Sequence, residues 1–439
     1  MADAEDRARV QTLDTHLGSL SPAETPDRWA LAAYRLALAL GEDASANREA
    51  SLRRAIALLG RAGVLLDPER APIEHARILN ATGATWRALG NPAKSVVAFD
   101  RAASLLKGRA RPLEVGTVLS NLGLAQLESG DLPEALRTFH EALDLLRGGL
   151  GVGAGAEERR AFASAALNRA QALLGLPHEV EWRDDGAAAI ATVDEALGVS
   201  SVEEGPLQVG MLRHTRGLVH MRADQYGEAV DDFTGALTVF TRPSFPFQHA
   251  VASFNRGRAK EQSAQLREAL LDYESAAQLF DPRLHRAQWL EAATRLADVE
   301  RRLSADQPGQ TRSDHIVHLL AESAPPARVV VLRERISRLH TRSVDVQRAE
   351  LRQLAEAALR LPIDAGDILL RDTIEILMEL PDDILRSGML AQLEALDTLP
   401  GAEQRPAHLR FDAAIQQLVM GPQRVRMREI LYEAGWERP

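Results

Sequence analysis

Small, aromatic and apolar positions recur in a fixed order along four stretches of this chain. Gly83, Gly123, Gly217 and Gly257 each stand eleven residues after a proline: Pro72, Pro112, Pro206 and Pro246. Sixteen residues after each glycine comes an aromatic (Phe99, Phe139, Phe233, Tyr273), and nineteen after it an alanine (Ala102, Ala142, Ala236, Ala276). Ser95, Ala135, Ala229 and Ala269 hold the place at twelve, and Leu106, Leu146, Phe240 and Phe280 the place at twenty-three. Regular offsets of this kind mark an array built from one supersecondary unit. Helical spacing of the apolar positions predicts two helices per unit, 72–89 and 92–106 in the first clear copy. Proline suits the opening turn, where its missing N–H costs nothing. The glycine predicts a close crossing that the aromatic and alanine of the second helix fill.

Breaks between the helices carry the expected residues. Gly90 and Gly130 fall where a C-cap needs positive φ, and Asn91-Pro92 and Asp131-Leu132-Pro133 read as a cap followed by a helix start. Two degenerate units fit the same frame. One opens at Pro26, with Ala37 at the glycine place and Ala50 and Ala57 fitting after a one-residue insertion. The other opens at Arg159, Ala163 and Ala170, and its second helix (186–197) is delayed by about seven residues across a loop from Leu176 to Asp185. A last first helix follows Pro282, through Leu290 and Ala297. The expected layout is a lead at 1–25, an array at 26–304, a linker at 305–312 and a C-terminal helical region at 313–439. Helices are predicted there near 313–322, 326–340, 344–360, 365–379, 382–397, 405–420 and 422–435.

The small residue of the first helix and the Gly, Ala, aromatic, Ala series resemble the tetratricopeptide repeat family. Its period is about 34 residues, whereas Pro72 to Pro112 spans 40. The excess lies in the run before each proline. The longer period, with Trp29-Ala30 in the first unit, looks like the tetratricopeptide segments that precede caspase-like CHAT proteases. Those enzymes use a Cys–His dyad and this chain has no cysteine, so the kinship would be of scaffold only. The resemblance implies an all-α, right-handed α-solenoid of stacked helix pairs with a concave groove for a partner protein.

In that family the residue two before the small core position points into the groove. Here those residues are Ala81, Asn121, Asn168, Thr215 and Asn255. Asparagine both donates and accepts, so Asn121, Asn168 and Asn255 are candidate clamps on a peptide backbone; bonds within the helix layer are the alternative. The family's carboxylate clamp also needs cations four positions earlier, where Arg77, Thr117, Ser164, Met211 and Val251 stand. Only Arg77 is basic, which disfavours a chaperone-tail function. Asn80, Arg87, Gln171, His214, Arg258 and Glu261 complete a mixed polar face suited to a peptide or helix of modest acidity. The candidate peptide-binding set is Asn121, Asn168, Asn255, Asn80, Arg77, His214 and Arg258.

Composition narrows the picture further. Hydrophobic residues make up 45% of 439 and charged residues 26%, a globular ratio, while aromatics at 4% leave the packing to alanine and leucine. A net charge of −10 argues against a general nucleic-acid binder. No apolar run suggests a signal peptide or a span, so a cytoplasmic protein is expected, with no membrane partner. The run Gly148-Gly149-Leu150-Gly151-Val152-Gly153-Ala154-Gly155 lacks the strand and the Lys-Ser/Thr of a phosphate loop and reads as an inter-repeat loop. His315, His318 and Glu322 could share a helix face, but a fourth metal ligand is missing. No catalytic triad is legible, so neither an enzyme nor a cofactor is expected. Arg328, Arg333, Arg335, Arg338, Arg342, Arg348, Arg352 and Arg360 precede an acidic stretch from Asp364 to Glu403. That sequence suits pairing between neighbouring helices, with a homo-oligomer contact as the alternative. Arg424, Arg426 and Arg428 read as a solvated end helix. The expected role is an adaptor; a regulatory subunit of a separate enzyme, such as a protease, or a ligand-sensing regulator are the alternatives.

Overall fold

The computed structural model describes residues 2–42, 47–151, 153–176, 183–306, 310–418, 422–433 and 436. The chain forms two compact units, Met1–Ala259 and Lys260–Pro439. In the first, α1 is Ala2–Gly18, α2 Pro26–Gly41, α3 Arg48–Leu65, α4 Pro72–Ala88, α5 Pro92–Leu106 and α6 Pro112–Glu128. It continues with α7 Leu132–Arg147, α8 Ala156–Leu174, α9 Arg183–Val199, α10 Pro206–Arg222, α11 Tyr226–Val239 and most of α12, Pro246–Gln262. In the second unit α13 is Leu266–Leu279, α14 Arg286–Asp306, α15 Arg312–Glu322, α16 Pro325–Ser337 and α17 Val344–Leu359. The last four are α18 Ile363–Met378, α19 Asp382–Asp397, α20 Gly401–Leu418 and α21 Pro422–Glu433. No strand occurs among the described residues, and the chain is an all-α solenoid of helix pairs.

In the first unit α2 packs on α3, α4 on α5, α6 on α7, α8 on α9 and α10 on α11. α3, α5, α7 and α9 then each pack on the first helix of the next pair, and α2, α4, α6, α8 and α10 also touch in succession. The glycines explain how closely these pairs approach. A Cβ on Gly83 would lie 2.8 Å from the Phe99 ring, on Gly123 2.7 Å from Phe139, and on Gly217 2.8 Å from Phe233. All three rings are fully buried, each stabilising its crossing by about 1.5–3 kcal/mol. A second close approach was not read from the sequence. Gly116 meets Leu146 and Gly210 meets Phe240, seven residues before the repeat glycine and twenty-three after it.

The long period has a structural cause. The run before Pro26, Pro72, Pro206 and Pro246 folds as one isolated helical turn, whereas before Pro112 the chain turns off the end of α5 through Gly108 at φ +74°. The isolated turn's N–H···O=C bonds join Ser21 to Thr25 (2.9 Å), Asp67 to Ala71 (2.9 Å), Ser201 to Gly205 (3.0 Å) and Thr241 to Phe245 (2.8 Å). Side chains at the start of the turn accept further N–H groups, as Asp67 does from Glu69 at 2.9 Å. Buried His75 then bonds the Leu66 carbonyl through Nδ1 at 3.1 Å, and His249 that of Phe240 at 2.6 Å, tying the new helix to the end of the old one.

Register in the degenerate units differs in one case. The delay of seven residues holds for α9, where Ala189, Val193 and Ala196 are buried. The loop before it falls mostly outside the described residues, while Asp184 and Asp185 belong to α9. In α3 the alanines named from sequence, Ala50 and Ala57, are exposed, and Ala55, Leu59 and Ala62 face the core. The slip is therefore six residues rather than one. The lead segment is helical: Val10, Leu13 and Leu17 of α1, spaced three and four apart, pack on α2.

In the second unit α14 packs on α13 with no second helix of its own, and Ala297, at the glycine place, stays exposed. The remaining helices follow another rule. Leu361-Pro362, Leu380-Pro381 and Leu399-Pro400 recur every 19 residues, and α17, α18, α19 and α20 begin at the same interval. Proline suits these starts, and Gly366, Leu385 and Gln404 each donate N–H to the proline carbonyl four back. Packing runs chiefly between helices two apart: α15 with α17, α17 with α19, α16 with α18 and α18 with α20. Ion pairs repeat that step. Arg328 pairs with Asp372, Arg333 with Glu379, Arg348 with Glu394, Arg360 with Asp314, Arg386 with Glu433 and Arg426 with Asp382. The basic and acidic stretches do pair intramolecularly, between helices two apart rather than consecutive ones.

Candidate functional site

The first helices of the first unit present their candidates along one layer. Asn121 donates Nδ2–H to Asn80 Oδ1 at 3.2 Å, across the α4–α6 step. Asn168 donates to Ser120 Oγ at 3.2 Å, across α6–α8. Asn255 Nδ2 lies 3.0 Å from His214 Nε2, across α10–α12. In each case the residue two before the small core position meets the residue three before it in the preceding unit. A ladder of side-chain bonds thus links successive first helices. Two steps lack a rung among the described residues: α2–α4, where Tyr34 and Ala81 stand, and α8–α10, where Leu167 and Thr215 stand. The offset of 41 in Asn80/Asn121 and His214/Asn255, one period plus one, was a signal available in the sequence.

The other candidates have distinct surroundings. Arg77 is exposed and bonds Glu114 of α6 at 2.6 Å. That bond raises the guanidinium pKa and lowers that of Glu114, with desolvation opposing in both. Arg87 approaches Glu128 at 3.6 Å in the same sense. His214 is buried against the Phe233 ring, and burial pushes its pKa down to about 4. Arg258 is half-buried and makes no ion pair among the described residues. Asn80, Asn121 and Asn168 are half-buried, and Asn255 is buried. Tyr34 of α2 joins the layer beside Arg77; burial raises its pKa, and the Arg77 charge partly opposes this.

The glycine-rich run joins α7 to α8, with Val152 outside the described residues. His315 is fully buried, while Glu322 at the end of α15 is exposed, with the Arg267 guanidinium 3.7 Å from its carboxylate. No cluster of three metal-ligating side chains occurs among the described residues. No helix among them is long and apolar enough to cross a membrane.

No protein-family model matches this sequence, and no curated protein does. Solved structures give distant likenesses. The Rap protein complexed with competence and sporulation factor is 15% identical over 92% of this chain and 95% of its own, with a TM-score of 0.44. A signal transduction ATPase with a tetratricopeptide repeat sensor, from Pyrococcus horikoshii, is 12% identical over 92% of this chain and 55% of its own, at 0.36. The TPR2AB domain of yeast Sti1, in a complex with HSP90, is 16% identical over 60% of this chain and 98% of its own, at 0.21. The decisive features lie in the chain itself. With Gly–aromatic crossings inside its helix pairs and first helices stacked in order, the first unit is an all-α solenoid of stacked helix pairs.

Proposed function

We propose that this protein is a cytoplasmic, non-enzymatic adaptor that holds a peptide or helix of a partner protein on the first-helix layer of its first unit. The observation that carries the reading is the ladder. Each rung uses one N–H of its asparagine, and a carboxamide has a second N–H and an acceptor oxygen. Half-buried Asn121 and Asn168 therefore retain the two groups that pair with an extended backbone, held in place by the rung itself. Charge supports a partner of modest acidity. Glu42, Glu114 and Glu128 are taken up by Arg9, Arg77 and Arg87. Arg35, exposed on α2, and Arg258 have no ion pair among the described residues. These two cations stand unpaired on this layer in a chain of net −10.

The test is affinity capture from the native host, comparing wild type with Asn121→Ala/Asn168→Ala and with Arg35→Glu/Arg258→Glu, each checked for its helical circular dichroism. A protein retained by wild type and lost from both variants supports the reading. The same protein captured equally by all three baits overturns it.

A further inference from the structure

A second site lies within the C-terminal unit. Helices α15 to α20 enclose a chamber of about 60 Å³, opening beside Ile363, which is 63% exposed. Several times the volume of one water centre, it suits a molecule of a few heavy atoms. Leucine is the commonest residue on its wall, with Leu320, Leu332, Leu369 and Leu396 among them. Gly366 lets the start of α18 press on α17; a Cβ there would lie 2.9 Å from the Ala358 carbonyl oxygen.

The polar groups on this wall break the local rule. In the 19-residue register, Leu354, Thr373, Gln392 and Phe411 share one column. Leu354 and Phe411 are buried, as the column requires, yet the two positions between them are polar. Thr373 is buried too, and its hydroxyl makes no hydrogen bond among the described residues. Helical threonines elsewhere in the chain, such as Thr82 and Thr117, bond the carbonyl four residues back at 2.7 Å. The Gln392 amide is likewise without a partner among the described residues. Arg410 brings a third group: its Nε is buried with no hydrogen-bond partner, and Asp367 Oδ1 stands 3.8 Å away, beyond hydrogen-bond reach. Polar atoms left unpaired in an apolar enclosure are costly, and such departures mark sites rather than cores.

We propose that this chamber binds a small, uncharged amphiphile: a short alkyl chain among the leucines, with a hydroxyl at the polar wall. The hydroxyl accepts from Arg410 Nε–H and donates to the Asp367 carboxylate or the Gln392 oxygen, with Thr373 as an alternative partner. Neutrality follows from the paired charges, since Asp367 already balances Arg410 and a carboxylate ligand would face it.

The experiment uses the full chain with 1-butanol and butanoate as probes, read by titration calorimetry and saturation-transfer NMR. Saturable 1-butanol binding is expected, roughly tenfold tighter than butanoate because the carboxylate's desolvation goes uncompensated. Thr373→Val, which keeps the shape and removes the hydroxyl, should weaken 1-butanol several-fold, and Ala358→Leu should abolish binding by filling the chamber. Absence of saturable binding, meaning that the chamber holds water only, overturns the proposal. So does equal affinity for butanoate, or binding indifferent to Thr373→Val. Should Ala358→Leu fail to fold, the isosteric Thr373→Val decides alone.

Discussion

His214 and Asn255 meet 3.0 Å apart, ring Nε2 against side-chain Nδ2, where first helices of successive repeats touch. An amide N–H only donates, so Nε2 must accept and the imidazole is neutral. Burial holds its pKa near 4. An unfolded histidine binds a proton near 6.5, so the unfolded state takes up protons first as pH falls. Stability from this site is complete above pH 6.5 and declines between 6.5 and 4, by about 3 kcal/mol at the lower limit. Urea midpoints of wild type and His214→Gln at pH 7 and pH 4.5 isolate the effect from other titrating groups. The variant should lose less stability across that interval; equal losses would remove His214 as the cause.

Gly83→Ala tests the crossing. Alanine is the better helix former by about 1 kcal/mol, but its Cβ would sit 2.8 Å from Phe99. Overpacking costs about 1–3 kcal/mol and should decide the sign, so Gly83→Ala lowers the thermal midpoint. Gly60→Ala, at an exposed position of α3 with nothing within 4 Å of the new methyl, should raise it. Phe99→Leu combined with Gly83→Ala should recover part of the loss. Similar effects from both glycines would show that helix propensity, not the crossing, sets the outcome.

The same crossings show what the sequence made legible. Glycine, aromatic and alanine recur in fixed columns because each meets the same partner in every unit. Such positions report fold directly. Ladder residues do not: their rungs are Asn80–Asn121, Ser120–Asn168 and His214–Asn255. Different chemistries satisfy one geometric need, so no column stays constant. Asparagine also serves equally for a neighbouring helix or a peptide, and residue type alone could not separate the two. The register of α3 differs from the one its alanines suggest because the insertion before it carries no internal marker in the sequence. The 19-residue order of the C-terminal helices was present in Leu361-Pro362, Leu380-Pro381 and Leu399-Pro400. A frame of 40 residues, searched with a glycine–aromatic signature, has no place for a single-helix repeat.

Two ion pairs of the C-terminal unit should respond differently to the same truncation. Arg328 is buried, donating Nε–H to Asp372 at 2.5 Å and Nη1–H to the Ser323 carbonyl at 3.0 Å. Asp372→Ala leaves a buried guanidinium half-satisfied and should cost about 3–5 kcal/mol. Glu379→Ala breaks the solvent-exposed pair with Arg333 and should leave the urea midpoint unchanged within error. Comparable losses at the two sites would mean that burial does not set the value of these pairs.

Asn80 and Asn121 separate the ladder's part in folding from its part in binding. The rung joins two half-buried amides at 3.2 Å. Its contribution should be modest, about 0.5–1.5 kcal/mol, and should emerge as a coupling energy in an Asn80→Ala/Asn121→Ala cycle. Either single variant breaks the rung, so both lose that energy and the double variant loses little more. Partner affinity should behave otherwise. In the proposed adaptor role Asn121, two before the small residue, is the groove contact and Asn80 serves to orient it. Asn121→Ala should therefore weaken binding more than Asn80→Ala, although the two destabilise the fold alike. Equal affinities for the two variants, at equal stability, would assign the ladder to architecture alone and move the partner's contacts to the charged side chains beside it.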